Sequence, residues 1–319
     1  METSENLHSE PTMSEIPPPA EVVSPMDSGC GCSSDKVMPY PKDASSFLSP
    51  YVYAIGRVNL RFPNLSVEKE FAQATGRAET AGLTDRQLMH SILSKRENRY
   101  LVHKICWVLS IEGQDSYVLQ PAHPEGYNLL VESLHSTGPT DVDVVIGTIA
   151  PPPLPEICNG LMVPLVKFDQ LYSFDVDSLI KSIPKPGKAE DTRVKQAAEE
   201  PKPEKTQDTR FKESAEELFW RVMQMADNKG ETDMHRALNY LVVRYPAVYT
   251  RTAEAHASNS TLKSVRAEAS RLSGARKIVD VIFTFNHRQT DVEEKYFVRV
   301  DVTEEFPFLV TKMSPYYNR

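Results

Sequence analysis

Cysteine is scarce, with four in 319 residues. So few thiols in so long a chain cannot build the disulfide framework that staples small secreted domains, and the expectation is a cytoplasmic protein with reduced thiols. No secretory leader is expected either. Met1 to Glu10 is polar and acidic, with neither the basic start nor the apolar stretch of a secretory signal. No uninterrupted apolar run approaches the roughly 18 residues of a spanning helix, so no membrane association is expected. Positive charge is not in excess: 36 basic residues stand against 44 acidic ones, a net charge of −8. A nucleic-acid binder usually turns a basic field to its polyanionic partner, and this balance argues against one. Chemical signatures are absent too. The chain has no P-loop, no Rossmann glycine pattern, no H-E-x-x-H and no G-x-S-x-G elbow.

What is present suits a packed core, with 40% hydrophobic and 25% charged residues. The 24 prolines are more than average and they cluster. Residues 1–49 are rich in Pro, Ser, Glu and Asp, include Pro17-Pro18-Pro19 and lack apolar periodicity, so they read as a disordered tail. A second break, 184–213, carries Pro184, Pro186, Pro201 and Pro203 among mixed charges and reads as a flexible charged linker. It divides residues 50–319 into halves at 50–183 and 214–319.

In the first half, Tyr51 to Gly56 has strand character, and Thr84 with Gln87 predicts a capping box opening a helix at Asp85. Cys106–Ile111 and Ser116–Leu119 flank Glu112-Gly113 as a hairpin. Gly126–Leu134 reads as a helix, Asp143–Gly147 as a buried strand, and Leu161–Val166 as an edge strand, because Pro164 removes a ladder donor. In the second half, Ser214 with Glu217 predicts another capping box, and a second helix starts near Thr232. Lys277–Phe285 and Lys295–Val302 form a long hairpin, to which Phe306–Lys312 returns as a third strand. Helices and hairpins alternate without a βαβ rhythm. The predicted class is therefore α+β, mainly antiparallel sheet with packed helices.

Four phrases carry a family resemblance. They are Tyr51–Gly56 followed by Val67–Arg77, then Arg96–Leu101, then Cys158–Pro164 running on to Asp175, and last Arg288–Val292 with Phe306–Val310. Together they resemble the C-terminal domain of the PatG and PatA proteins of cyanobactin maturation, over nearly all of the chain from Tyr51 to Arg319. The resemblance implies a role in making ribosomal, modified cyclic peptides. In PatG-type proteins a subtilisin-like domain cuts and macrocyclises the precursor ahead of this domain, and residues 1–49 are too few to hold it. The family's C-terminal domain brings no catalytic residues to carry over, and protease activity does not transfer across a domain boundary.

The candidate sites are therefore read from the residues. Cys30 and Cys32 supply half of a tetrahedral zinc site, with Cys158 as a third ligand if the tail folds back; free thiols in a tail are the alternative. Otherwise no cofactor is expected. Cys106, beside Trp107 in an apolar strand, reads as buried and inert. Arg96, Arg99 and Glu68, among further charges, read either as a peptide-binding groove or as a solvated, ion-paired helix face. Arg288 and Asp291 sit in a hairpin turn, a place from which loops make partner contacts. The favoured reading is a non-catalytic interaction module whose partner is the precursor peptide or the subtilisin-like maturation protease. The alternatives are an unrecognised peptide-processing or metal-dependent enzyme, and a homo-oligomer joined through an exposed hairpin edge.

Overall fold

The computed structural model describes residues 50–76, 82–135, 138, 140–184 and 205–317. It is α+β. Residues 50–184 build a closed barrel of five strands: β1 (Tyr51–Arg61), β2 (Cys106–Ile111), β3 (Gln114–Pro121), β4 (Asp141–Ala150) and β5 (Leu165–Asp175), in the order β1-β2-β3-β5-β4. Three helices, α1 (Leu65–Thr75), α2 (Asp85–Leu93) and α3 (Arg99–Lys104), intervene between β1 and β2, and α4 (Gly126–Ser133) joins β3 to β4. Every pairing is antiparallel except β3 with β5, where Val118 lies beside Leu165 in parallel register. This is the Greek-key plan of the OB-fold, whose outer β2–β3 face and β1–β2 and β4–β5 loops are its usual ligand surfaces.

The hairpin predicted around Glu112-Gly113 forms. Both residues have positive φ, 51° and 79°, as a two-residue turn of the twisted type needs. The Thr84 capping box forms too, with Gln87 N–H donating to Thr84 Oγ1 and Thr84 N–H to the Gln87 side chain. Residues 161–164 do not become strand. β5 starts at Leu165 and lies between β3 and β4, so it is interior to the sheet and not an edge.

After α5 (Val176–Ser182), the second half contributes α6 (Lys205–Met223), α7 (Asp233–Arg244) and α8 (Ala247–Ala257). They pack on an antiparallel sheet ordered β6 (Ser260–Ala269), β7 (Ile278–His287), β8 (Glu293–Asp301) and β9 (Phe308–Pro315). Ser214 does not cap α6. It is buried inside the helix, and its hydroxyl donates to the Phe211 carbonyl at 2.9 Å. Phe211, Ala215, Leu218, Phe219 and Val222 form one buried stripe. That stripe begins a turn before Ser214, and the helix begins earlier with it.

The halves meet across β1. Alternate residues of this strand point into different cores. Val52, Ala54 and Val58 face the barrel core with Trp107, Leu109 and Val145, whereas Tyr53 and Ile55 face a second core with Phe219, Leu238 and Val281. β4 behaves alike, with Val142, Val144 and Ile146 in the second core and Val145 in the first. The segment from Asn228 to Gly230 docks on β1: Tyr53 N–H donates to the Gly230 carbonyl at 2.9 Å, and Asn239 Nδ2 donates to the Tyr53 carbonyl at 2.8 Å. Buried Asn228 donates in turn to Asn239 Oδ1 at 2.8 Å. Tyr117 Oη, from the far side of the barrel, donates to the Lys229 carbonyl at 3.1 Å.

Gly230 carries this seam. Its φ is +76°, and a Cβ there would lie 2.3 Å from the Tyr53 carbonyl oxygen, so a side chain meets both strain and a rigid backbone. Gly113 has a φ of +79° but open space around it. Gly230→Ala is therefore expected to lower unfolding stability by at least about 2 kcal/mol, and Gly113→Ala by about 1 kcal/mol. Urea titrations of the two variants check this; equal losses would remove the special role of the Gly230–Tyr53 contact.

Candidate functional site

A cleft of about 550 Å³ opens where the β1–β2 helices meet α4. Local sequence explains its walls. α2 ends at Ser94, whose hydroxyl donates to the His90 carbonyl at 2.6 Å. The buried side chain of Asn98 then donates to the Ile92 carbonyl at 2.9 Å and turns the chain into α3. As a result Arg99 stands at the mouth, with His103 one helical turn further on the same side. On the opposite wall, α4 starts at Gly126, where a Cβ would lie 2.4 Å from the Pro121 side chain. Only glycine lets the helix approach β3 this closely.

Leu93, Val102 and Val131 provide apolar lining, and Glu125 and Glu132 add carboxylates. Two contacts join the walls. Arg99 Nη2 donates to Asn128 Oδ1 at 2.7 Å, and the His103 ring meets Tyr127 edge-on with centroids 4.2 Å apart. His90 packs nearby, its ring 5.2 Å from that of His135, and its Nε2 is buried without a hydrogen-bond partner. Burial holds His90 below the usual histidine range against the opposing pull of Glu132, which favours the neutral imidazole. An apolar floor with a few convergent polar groups in a volume of this size has the general form of a ligand site.

Of the partner-contact residues singled out by sequence, Arg99 lines this cleft and Arg96, Glu68, Arg288 and Asp291 do not. Arg96 is exposed in the turn Arg96–Asn98, and Glu68 is exposed on α1. Among the described residues, Glu70 of the charged stretch pairs across helices with Lys104 at 3.1 Å. Arg288 and Asp291 lie in the β7–β8 turn of the other sheet, where Asp291 accepts from Asn286 Nδ2 at 3.2 Å. Cys30 and Cys32 fall outside the described residues. Among the described residues no group of three or more His, Cys, Asp and Glu side chains is placed to hold a metal ion. His103, Tyr127 and Asn128 carry no sequence signal for the cleft, because its walls come from helices separated by two strands.

One expectation is corrected. Cys106 and Cys158 are not free thiols. They form a disulfide, with Cα atoms 5.4 Å apart and a separation of 52 positions in sequence. Both sulfurs are buried. Their proximity follows from the path of the β4–β5 connection across β2, which sequence spacing does not reveal.

The family description PatG C-terminal matches residues 205–316, roughly a third of the chain. A solved structure titled PatG Domain of Unknown Function superposes with a TM-score of 0.62. It is 20% identical and covers 84% of this chain and 99% of its own. Over residues 205–316 the chain is similar to the PatG C-terminal family. No curated protein matches it. The likeness of fold reaches beyond the matched residues into the barrel half, at an identity that speaks for the fold alone. No helix among the described residues is long and apolar enough to cross a membrane.

A second group of titratable side chains centres on the matched segment. Arg236 of α7 is fully buried and donates to the carbonyls of Val302, at 2.7 Å, Glu304 and Glu305, at 3.1 Å. The buried cation thereby sets the β8–β9 turn and brings the Glu305 carboxyl against Asp169 of β5. Burial, then the Asp169 carboxyl, pushes Glu305 up to about 7, with Arg236 opposing. A carboxyl raised in the folded state stabilises the fold below its unfolded value, near 4.5, and loses that contribution as pH rises towards 7. Glu305→Gln is expected to flatten this part of the stability profile and to raise the melting temperature above pH 7. Thermal melts between pH 4.5 and 8.5 check it; an unchanged profile would show that Glu305 titrates alike in both states.

Proposed function

We propose that the chain is a binding module, and that the cleft between α2, α3 and α4 receives a peptide segment. The observation that carries this reading is the cleft's composition. An apolar floor suits a side chain of the ligand, while Arg99, Asn128, Glu125 and Glu132 offer donors and acceptors to its backbone and charged groups. The PatG C-terminal match supports placing this activity in cyanobactin-type maturation of ribosomal peptides. There the precursor peptide is the favoured ligand and the maturation protease a second partner.

Titration calorimetry of the full chain with a cyanobactin precursor peptide, and separately with a subtilisin-like maturation protease, tests the reading. Micromolar binding of the peptide is expected. Arg99→Ala should weaken it about tenfold, a loss of about 1.4 kcal/mol, without changing the melting temperature. Arg99 is exposed, so folding should not depend on it. Absence of binding to either partner at about 100 μM, the range of weak affinity, would overturn the proposal. Binding that ignores Arg99 would move the site elsewhere.

A further inference from the structure

The β4–β5 connection, residues 151–164, lies across the outer face of β2 and β3. The barrel-facing side chains of these strands are Trp107, Leu109, Ile111, Tyr117 and Leu119. Their outward neighbours Cys106, Val108 and Val118 are buried all the same, because Cys158, Leu161 and Val163 of the connection cover them. In barrels of this topology that outer face is where ligands usually sit. Here the protein's own loop occupies it.

Little besides sulfur holds the loop there. Its backbone bonds are local: Ile157 N–H to the Leu154 carbonyl, Gly160 N–H to Pro155 and Leu161 N–H to Cys158. Among the described residues, the backbone bond that joins the connection to the barrel is Val118 N–H to the Pro164 carbonyl, at the very end beside β5. The rest of the attachment is the small apolar contact and the Cys106–Cys158 bond. Meanwhile Leu154, Ile157 and Met162 point outward, 69%, 51% and 60% exposed. A segment with half its apolar side chains in water gains little from staying docked. Pro151, Pro152, Pro153, Pro155 and Pro164 limit how far it can rearrange, so it is suited to swing as a strap.

We propose that the Cys106–Cys158 disulfide is a redox-operated latch that keeps the 151–164 strap closed over the β2–β3 face. A dithiol reductant opens it. Its thiolate attacks one sulfur, the S–S bond breaks and a mixed disulfide forms. The second thiol of the reductant then displaces the protein sulfur. Two electrons and two protons pass to Cys106 and Cys158, and the reductant leaves as a disulfide. Because both sulfurs are buried, exchange proceeds through local opening of the strap. The released strap uncovers Val108 and Val118 and frees its own apolar residues.

The test uses the full chain, oxidised with diamide or reduced with dithiothreitol, then alkylated under denaturing conditions and mapped by mass spectrometry. The oxidised sample should yield a linked peptide containing Cys106 and Cys158, and the reduced sample should be alkylated at both. Limited chymotrypsin digestion is then compared for the two forms. Cleavage at Leu161 or Met162 should be about tenfold faster after reduction, while cleavage at exposed Leu272, in the β6–β7 turn, stays constant. Cys158→Ser should behave as the reduced form; if that variant does not fold, the dithiothreitol comparison on the natural chain decides. Free thiols at these positions after diamide, or pairing with Cys30 or Cys32 instead, would overturn the proposal. So would a reduced sample cut no faster in the strap, or one cut faster everywhere, since the latter marks a general staple.

Discussion

A strand with two apolar faces is the constraint from which the rest of this structure follows. β1 must be covered on both sides, because Val52 and Ala54 point one way and Tyr53 and Ile55 the other, and all four are buried. Closing the barrel covers one side. The other is covered by the helices and sheet of the second half, so neither half presents a complete surface without its neighbour. The buried amides of Asn228 and Asn239 and the left-handed Gly230 then fix where the second half docks, because unpaired amides and carbonyls in such a seam would be costly. Hydrophobic burial provides the drive and the polar contacts provide the register.

The same division separates the candidate functional features. The cleft and the strap belong to the barrel half and use its connections, β1–β2 with β3–β4 for the cleft and β4–β5 for the strap. The family match falls in the other half, where buried Arg236 and the Asp169–Glu305 contact tie the β8–β9 turn back to β5. β5 links the barrel to the lobe junction, since it pairs with β3 and β4 and carries Asp169. In the proposed reading the recognising groups stand on helices and loops held by a barrel, a common arrangement in which the scaffold positions and the connections recognise.

Much of the fold was legible along the chain. Thr84-Asp85-Arg86-Gln87 announces a helix start because its capping bonds span three residues, and Glu112-Gly113 announces a turn because both residues accept positive φ. The β7–β8 hairpin shows in its alternation and its polar turn. Ser214 misled, because a capping pattern inside a longer apolar stripe gives way to burial. β6 went unread, since Lys263, Arg266 and Glu268 dilute its apolar pattern and only pairing with β7 makes it a strand. Of the candidate site, Arg99 was legible as part of a charged stretch, while His103, Tyr127 and Asn128 were not, because their proximity depends on how α3 and α4 flank the barrel.

By itself, then, the sequence determined what is local: helix caps, turns, the alternating strands and the α+β class. These depend on interactions within a few residues and leave a pattern in the chain. The tertiary structure decided barrel closure through the parallel β3–β5 pair, the pairing of Cys106 with Cys158 and the walls of the cleft. Each of these joins residues far apart in sequence, brought together by the need to bury both faces of β1, and no short-range pattern records such a meeting.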